Sequence, residues 1–312
     1  MDIHIHLNFC FANKEQGGTT GGIQSEVMLS QVADERMAYA RTHLSYSSQS
    51  NYQTAVRSFR HYLGQDMRLA DIDRDIIVGF ERWLRQKGIC PNTVSCYMRS
   101  LRAILASHDR RMYSVFDSVF TGREKTTKRA LPMQAFLELR RLQLPSGSFL
   151  ELSRDVFLFS FYAMGMPFVD VAHLRWQQIE TDHFVYFRQK TGQRVSVAIE
   201  PPMQQIIDRH GGDGEFVFPL LHQGSDAEYQ HVLGRYNRNL RRLGEAIGTT
   251  AALTSYVARH SWATMAYQQD VALPVISKAL GHANPHTTLT YLRETDDMQL
   301  AKANHALLHS FL

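Results

Sequence analysis

The chain has 312 residues, a length typical of two domains. Hydrophobic residues make up 44% of it, which is enough to form ordinary buried cores and argues against global disorder. No run of about 18 apolar residues predicts a membrane span. The N-terminus lacks the basic start and apolar stretch of a secretory signal, so we expect a cytoplasmic protein without membrane contact. The three cysteines do not suggest a disulfide framework. A net charge of +4 is only weak evidence for a polyanionic partner.

The first part of the chain is predicted to be helical. Residues 1–24 are expected to be a flexible leader, because they include a glycine-rich run. Residues 25–116 are predicted to form a small helical domain whose first helix spans 25–42. Polar residues 47–50 are cap candidates for the second helix, and Pro91 is expected to open the fourth. Apolar residues at helical spacing predict the second, third and fourth helices: Tyr52, Val56, Phe59 and Leu63; Ile76, Ile77, Phe80 and Leu84; Val94, Met98, Leu101 and Leu105.

Basic residues cluster near the end of this domain and in the segment after it. Residues 117–130 are polar, basic and weakly periodic, which predicts a linker. Clustered lysine and arginine suit the closely spaced phosphates of nucleic acid. A solvated helix face followed by a polar linker is the alternative explanation. The candidate phosphate-binding residues are Arg99, Arg102, Lys125, Lys128 and Arg129.

A second domain is predicted over 131–312. Its first two helices are expected at 131–142 and 155–163. Between 184 and 199 the apolar residues alternate with polar ones around Thr191-Gly192, which predicts a β-hairpin. Helices follow again to the end of the chain. The predicted fold class is therefore mainly α with a small β-sheet.

The C-terminal part of this domain concentrates reactive side chains at short spacings. Residues 254–255 are candidate caps for a helix. That helix would place Tyr256 and Arg259, three residues apart, on one face. His282 follows a short helix directly, and Tyr291 lies nine residues further on.

These residues resemble the catalytic region of the tyrosine recombinase, or phage integrase, family. The resemblance rests on "ARHSWAT" at 258–264, "LGH" at 280–282 and the tyrosine nine residues later. Residues 165–176 resemble the family segment that usually carries a first catalytic arginine. Residues 190–192 resemble the hairpin that carries the catalytic lysine. The helical N-terminal domain resembles the family's core-binding domain.

The resemblance implies a two-domain clamp around duplex DNA, with an α/β catalytic domain that ends in a tail helix. It implies a site-specific recombinase with Tyr291 as nucleophile, which forms a 3′-phosphotyrosyl intermediate. Arg259 and His282 would contact the phosphate, Lys190 would protonate the leaving group, and Tyr256 occupies a position usually held by histidine. No metal or other cofactor is expected.

The implied partners are double-stranded DNA, further copies of this chain in a tetramer, and accessory DNA-bending proteins. The biological reaction would be integration, excision or inversion of a mobile or invertible element. Two other interpretations stay open: a DNA-binding relative with weak or lost catalysis, and a relaxing enzyme like type IB topoisomerases. Taken singly, each candidate side chain also has an ordinary structural explanation, such as ring packing for Tyr291 or a surface ion pair for Arg259.

The sequence departs from the family pattern at two positions. The usual Gly-x-Arg is Gly165-Met166-Pro167, although Asp170 matches the acidic residue that follows. Arg154 and Arg175 are the nearest arginines that could replace the missing one, and neither fits the motif. Tyr256 cannot carry the positive charge of a histidine. We therefore expect slower or more partner-dependent cleavage than in a member with the full set of residues, and faster cleavage in a Pro167→Arg variant.

Overall fold

The computed structural model describes residues 26–124, 130–250, 252–282 and 288. The described chain divides into two compact units, one over 26–124 and one from 130 onward. The described residues form twelve α-helices and one two-stranded sheet, which confirms the predicted fold class. In this part of the chain, no helix has the length and apolarity to cross a bilayer. The predicted domain boundaries stay a prediction, and the leader lies outside the described residues.

The first unit is a bundle of four long helices with a short fifth. The predicted stripes of the second, third and fourth helices point mainly into one core, in which Phe59, Phe80 and Leu101 are fully buried. Pro91 opens the fourth helix as predicted, because a helix start needs no backbone donor at that position. The helices are α1 (Leu29–His43), α2 (Tyr46–Leu63), α3 (Arg74–Gln86), α4 (Pro91–His108) and α5 (Met112–Val115).

Two predicted helix starts in this unit were wrong. Helix α1 begins four residues later than expected, because the Leu29 amide donates to the Met67 carbonyl (2.8 Å) and holds the entering chain extended. Helix α2 begins earlier than the predicted caps at 47–50. Its cap is Ser45, whose hydroxyl accepts a hydrogen bond from the Ser48 amide (3.4 Å).

The second unit is built around one helix that is buried on almost every side. Helix α7 starts at Phe149 behind the cap Ser148, six residues before the predicted start. Amphipathic spacing misses this start, because a helix surrounded by others has no polar face. Helices α6, α9, α10 and α11 all pack against α7. The helices are α6 (Met133–Arg141), α7 (Phe149–Tyr162), α8 (Phe168–Ala172), α9 (Pro201–His210), α10 (Asp226–Ala246), α11 (Val257–Gln268) and α12 (Leu273–Ala279).

The predicted hairpin is present. Strands β1 (His183–Phe187) and β2 (Arg194–Ala198) pair antiparallel, with Phe184 opposite Val197 and Tyr186 opposite Val195. These four side chains are buried against the helices of the same unit. The hairpin therefore has one face fixed to the core, and its connecting turn is held in place by that packing.

The cap of α2 can be tested by substitution. Replacing Ser45 with alanine removes the side-chain acceptor at the helix start, and we expect a loss of about 0.5–2 kcal/mol in the free energy of unfolding. Ser47→Ala is the matched control: Ser47 is an exposed serine inside the first turn. Urea denaturation followed by circular dichroism measures both. A larger loss from Ser47→Ala than from Ser45→Ala would show that the cap is misassigned.

Candidate active site

Arg259 is the most deeply buried charged side chain of the second unit, with 1% of its surface exposed. It lies in the first turn of α11. Its Nη1 donates to the Gly165 carbonyl (3.0 Å), and its Nη2 donates to the Leu280 carbonyl and to Nε2 of His282 (3.0 Å). Gly165 has a φ of +73°, and a Cβ there would come within 2.8 Å of the Arg259 Cα. The glycine therefore allows close packing against the arginine.

His282 follows Gly281 at the end of the α12 segment, as the sequence predicted. Because an arginine can only donate, Nε2 of His282 is the acceptor in its bond with Arg259. Nδ1 then carries the proton and donates to the hydroxyl of Thr288 (2.8 Å). Burial, together with the positive charges of Arg259, Arg188 and Lys190, lowers the pKa of His282 to about 3. The imidazole is neutral at physiological pH.

Arg188, directly after β1, is a second buried arginine in the same place, with 6% of its surface exposed. Its Nη1 donates to the carbonyls of Leu280 (2.9 Å) and Gly281 (3.1 Å). The Leu280 oxygen also accepts from Arg259, so the two guanidinium groups are neighbours. Burial lowers the pKa of Arg188, and the adjacent Arg259 charge lowers it further.

Asp170 is the buried carboxylate beside Arg188. Its Oδ1 accepts from the Gln189 amide (3.0 Å), whereas its Oδ2 lies 3.8 Å from Nε of Arg188. Neither that oxygen nor that nitrogen has a hydrogen-bond partner in the structure as described. Burial raises the pKa of Asp170, although the Gln189 amide and the charge of Arg188 oppose this. The contact is thus a loose ion pair.

Lys190 lies in the hairpin turn, and its side chain is exposed. The neighbouring Thr191 hydroxyl donates to the Gly281 carbonyl (3.1 Å), which ties the turn to the segment that carries His282. The Lys190 charge is close enough to lower the pKa of His282. The structure therefore brings Lys190, Arg259 and His282 together.

Tyr256 stands at the cap position of α11, one residue beyond the predicted caps 254–255, and makes no side-chain cap. That prediction was wrong by one residue: the Val257 amide donates to the Thr254 carbonyl (3.0 Å) in a turn that precedes the helix, so the helix starts after Tyr256. The Tyr256 ring contacts His260 edge to face at 4.7 Å between centroids. Its electrostatic interaction with Arg188 places it at the border of the same cluster.

Other predicted site residues lie elsewhere or were not described. Arg99 and Arg102 are on α4 in the first unit and are half-buried, and their contact with DNA stays a prediction. Arg99 donates from Nε to the Ser95 carbonyl (3.3 Å), which holds its side chain along the helix. The remaining candidates fall outside the described residues: Tyr291, Lys125, Lys128 and Arg129.

The two arginines proposed as replacements for the missing one are engaged in other contacts. Arg154 donates to Asp155 (2.7 Å) and to the Leu142 carbonyl (2.7 Å). Arg175 pairs with Glu215 on the surface. Arg188 was missed, although the strand pattern contains a signal for it. Phe184 and Tyr186 point inward, and the two-residue period puts Arg188 on the same buried face.

The cluster combines two buried guanidinium groups, a neutral imidazole and an exposed ammonium group. Only Asp170 offsets the buried positive charge among the described residues, and it does so without a hydrogen bond to Arg188. Such a site favours a bound anion, because arginines keep their charge and match the oxygens of a phosphate group. The described residues can therefore bind and polarise a phosphate.

Comparisons with known proteins agree with this chemistry. Residues 28–107 match the phage integrase SAM-like domain, and residues 144–298 match the phage integrase family. The tyrosine recombinase XerD of Listeria monocytogenes is 23% identical over 273 residues, which cover 81% of this chain and 89% of XerD. A similar XerD from Listeria innocua is 24% identical over 272 residues, with the same shares covered.

Solved structures show the same fold. A lambda integrase dimer bound to a COC′ core site has a TM-score of 0.68 at 15% identity, over 86% of this chain and 98% of that one. XerH bound to a palindromic difH substrate has a TM-score of 0.65 at 17% identity, over 88% of this chain and 83% of that one. The described elements thus follow an architecture found in recombinases.

The protonation state of His282 is testable. We expect its ring nitrogens to keep neutral-form chemical shifts down to about pH 3, whereas unfolded histidine protonates near 6.5. Between pH 3 and 6.5 the unfolded chain binds more protons at this histidine than the folded chain does. The free energy of unfolding therefore has its full contribution from His282 above pH 6.5 and falls as the pH drops toward 3. Nitrogen-15 NMR of the imidazoles measures this.

His183 is the internal control, because its hydrogen bond with Asp182 raises its pKa above the ordinary value. The two histidines should therefore titrate in opposite directions from 6.5. Titration of His282 at or above that value would contradict the described cluster.

Proposed function

Because this chain belongs to the phage integrase family of tyrosine recombinases, we propose that it cuts and rejoins DNA at specific sites through a covalent phosphotyrosyl intermediate. The observation that supports this best is the convergence of Arg259, His282 and Lys190. These residues are separated in sequence, yet Arg259 bonds Leu280 and His282, and the charge of Lys190 acts on His282. Their types and order match the family's catalytic set.

In the proposed reaction, the Tyr291 hydroxyl attacks the scissile phosphorus. A bond forms between the phenolic oxygen and phosphorus, and the bond from phosphorus to the 5′-oxygen breaks. The phenolic proton passes to solvent as the oxygen attacks, and because a free tyrosine has a pKa near 10, nearby cations are needed to stabilise the developing phenolate. Lys190 supplies a proton to the departing 5′-oxygen. The phosphotyrosyl bond preserves the energy for rejoining by the reverse reaction.

Arg259 stabilises the charge that builds on the non-bridging oxygens. His282 has a narrower role in this scheme than a positively charged histidine would have. Its neutral ring accepts from Arg259 and donates to Thr288, so it orients the guanidinium group before DNA binds. Tyr256 contributes a phenol at the edge of the cluster.

The proposed partners are double-stranded DNA and further copies of this chain. Among the structural neighbours, lambda integrase has been solved as a dimer on a core site and as a tetramer bound to a Holliday junction. We propose the same partners for this chain, with a tetramer as the active assembly. Action on a mobile or invertible element in the cytoplasm, with DNA-bending accessory proteins, is part of the same proposal.

A second candidate function is DNA binding with weak or lost catalysis. The observation in its favour is the motif at 165–167, where Pro167 stands in place of the usual arginine. Proline there caps helix α8 and supplies no charge. Cleavage assays separate this candidate from the first.

The nucleophile is tested with a trapped covalent adduct. The probe is the duplex that the protein itself selects from a random-sequence pool, nicked so that the released fragment diffuses away. The wild-type protein should form a protein–DNA adduct that resists denaturation on a gel, and Tyr291→Phe should form none because it lacks the attacking oxygen.

Tyr267→Phe is the matched control, since Tyr267 lies near the end of α11 and packs against the buried cluster of Ala263, Ile276 and Leu280. It should give wild-type adduct yields. Tight, selective binding with no adduct from the wild type at any nick position would favour the binding-only candidate.

The apolar tail is expected to act in assembly. The last residues include Leu300, Ala301, Ala303, Ala306, Leu307 and Leu308, a pattern that predicts an amphipathic helix. Deletion of 298–312 should leave binding to a single site within about threefold but weaken pairing of two sites by an order of magnitude or more. Gel shifts and recombination between two labelled duplexes measure these effects. Unchanged recombination would mean that the tail does not join protomers.

A further inference from the structure

We propose that Arg188 is a catalytic residue that supplies the second guanidinium group to the scissile phosphate, in place of the arginine that Pro167 cannot provide. The inference rests on the proposed strand-transfer chemistry and adds a residue to it. It follows from the position of Arg188 after β1, from its contacts and from the charge around it. No sequence motif marks this residue.

Arg188 shares its backbone anchor with Arg259. Arg188 and Arg259 both donate to the carbonyl oxygen of Leu280, so a group that reaches one guanidinium lies beside the other. His282 follows two residues after this carbonyl and accepts from Arg259. Arg188 therefore belongs to the same cluster as the residues already assigned to the phosphate.

The positive charge around Arg188 is only partly offset. Arg188 is 6% and Arg259 is 1% exposed, and each Nε lacks a hydrogen-bond partner in the described structure. Oδ2 of Asp170 lies 3.8 Å from Nε of Arg188, too far to accept a hydrogen bond from it. Two buried like charges with one loosely placed counterion are unfavourable until an anion binds. A phosphate group supplies that anion and accepts from planar guanidinium groups.

The backbone at Gly281 packs tightly against the Arg188 side chain. Gly281 has a φ of +58°, and a Cβ there would lie 2.5 Å from Cδ and 3.2 Å from Cγ of Arg188. The Arg188 stem thus passes directly beneath the glycine that precedes His282. The same backbone turn therefore packs against the Arg188 stem and positions the histidine.

This assignment changes what we expect of the missing motif arginine. A site that already contains Arg188 is not one cation short, so Pro167→Arg should raise cleavage by less than about threefold, a gain far below that of one transition-state donor. A large gain in that variant would mean that the place of the second guanidinium is empty in the native protein, and it would overturn the proposal.

The decisive test compares two DNA probes. Both are the nicked, protein-selected duplex; one has the normal scissile phosphate, and the other has an uncharged methylphosphonate at that position. On the phosphate probe, Arg188→Ala should form adduct at least about a hundredfold more slowly than wild type, as expected for loss of one charge-stabilising donor. On the methylphosphonate probe the difference should shrink to within about tenfold, because less negative charge needs balancing.

Two control variants calibrate the comparison. Arg259→Ala should be rescued by the methylphosphonate in the same way. Arg154→Ala removes an equally buried arginine that bonds Asp155 and Leu142, so any rate it loses should be the same on both probes. Rescue of Arg188→Ala also shows that this variant is folded.

The outcomes separate the two proposals. A wild-type adduct with an Arg188→Ala rate within threefold of wild type on phosphate overturns the role of Arg188 alone. An equal loss on both probes also overturns it, since a purely structural arginine behaves in that way. No wild-type adduct on either probe refutes the proposed strand transfer itself, and the role of Arg188 fails with it.

Discussion

The carbonyl oxygens of Leu280 and Gly281 are the point at which the candidate site is assembled. Guanidinium groups from Arg188 and Arg259 and the hydroxyl of Thr191 all donate to these two oxygens. Buried arginines need acceptors, and a helix end offers carbonyls without helical partners. One short backbone segment therefore joins the hairpin turn, helix α11 and His282.

The rest of the second unit holds these three elements in register. Helix α7 is buried on almost every side and packs against α6, α9, α10 and α11. The hairpin adds Phe184 and Tyr186 to the same core, so the residue two positions further along β1 continues on the buried face. Since protein interiors are closely packed, small changes in this core would displace the charged groups at its edge.

The cluster has an excess of positive charge that an incoming anion can neutralise. Neutral His282 adds no further positive charge, because burial and then the charges of two neighbouring arginines and Lys190 lower its pKa. Asp170 offsets part of the arginine charge while leaving the guanidinium nitrogen nearest to it without a hydrogen bond. A proline in place of the motif arginine at position 167 is compatible with the family's chemistry, provided that Arg188 reaches the phosphate from the hairpin.

The sequence by itself determined the fold class, the hairpin and the family, because apolar periods and short motifs are local properties of the chain. It also identified Arg259, His282 and Lys190 as candidates. It misplaced the starts of α1, α2 and α7, since Met67, Ser45 and the surrounding helices decide them through contacts that periodicity does not contain. Only the tertiary structure revealed Arg188, because its neighbours at 259 and 280 are distant in sequence and meet it only when the core is packed.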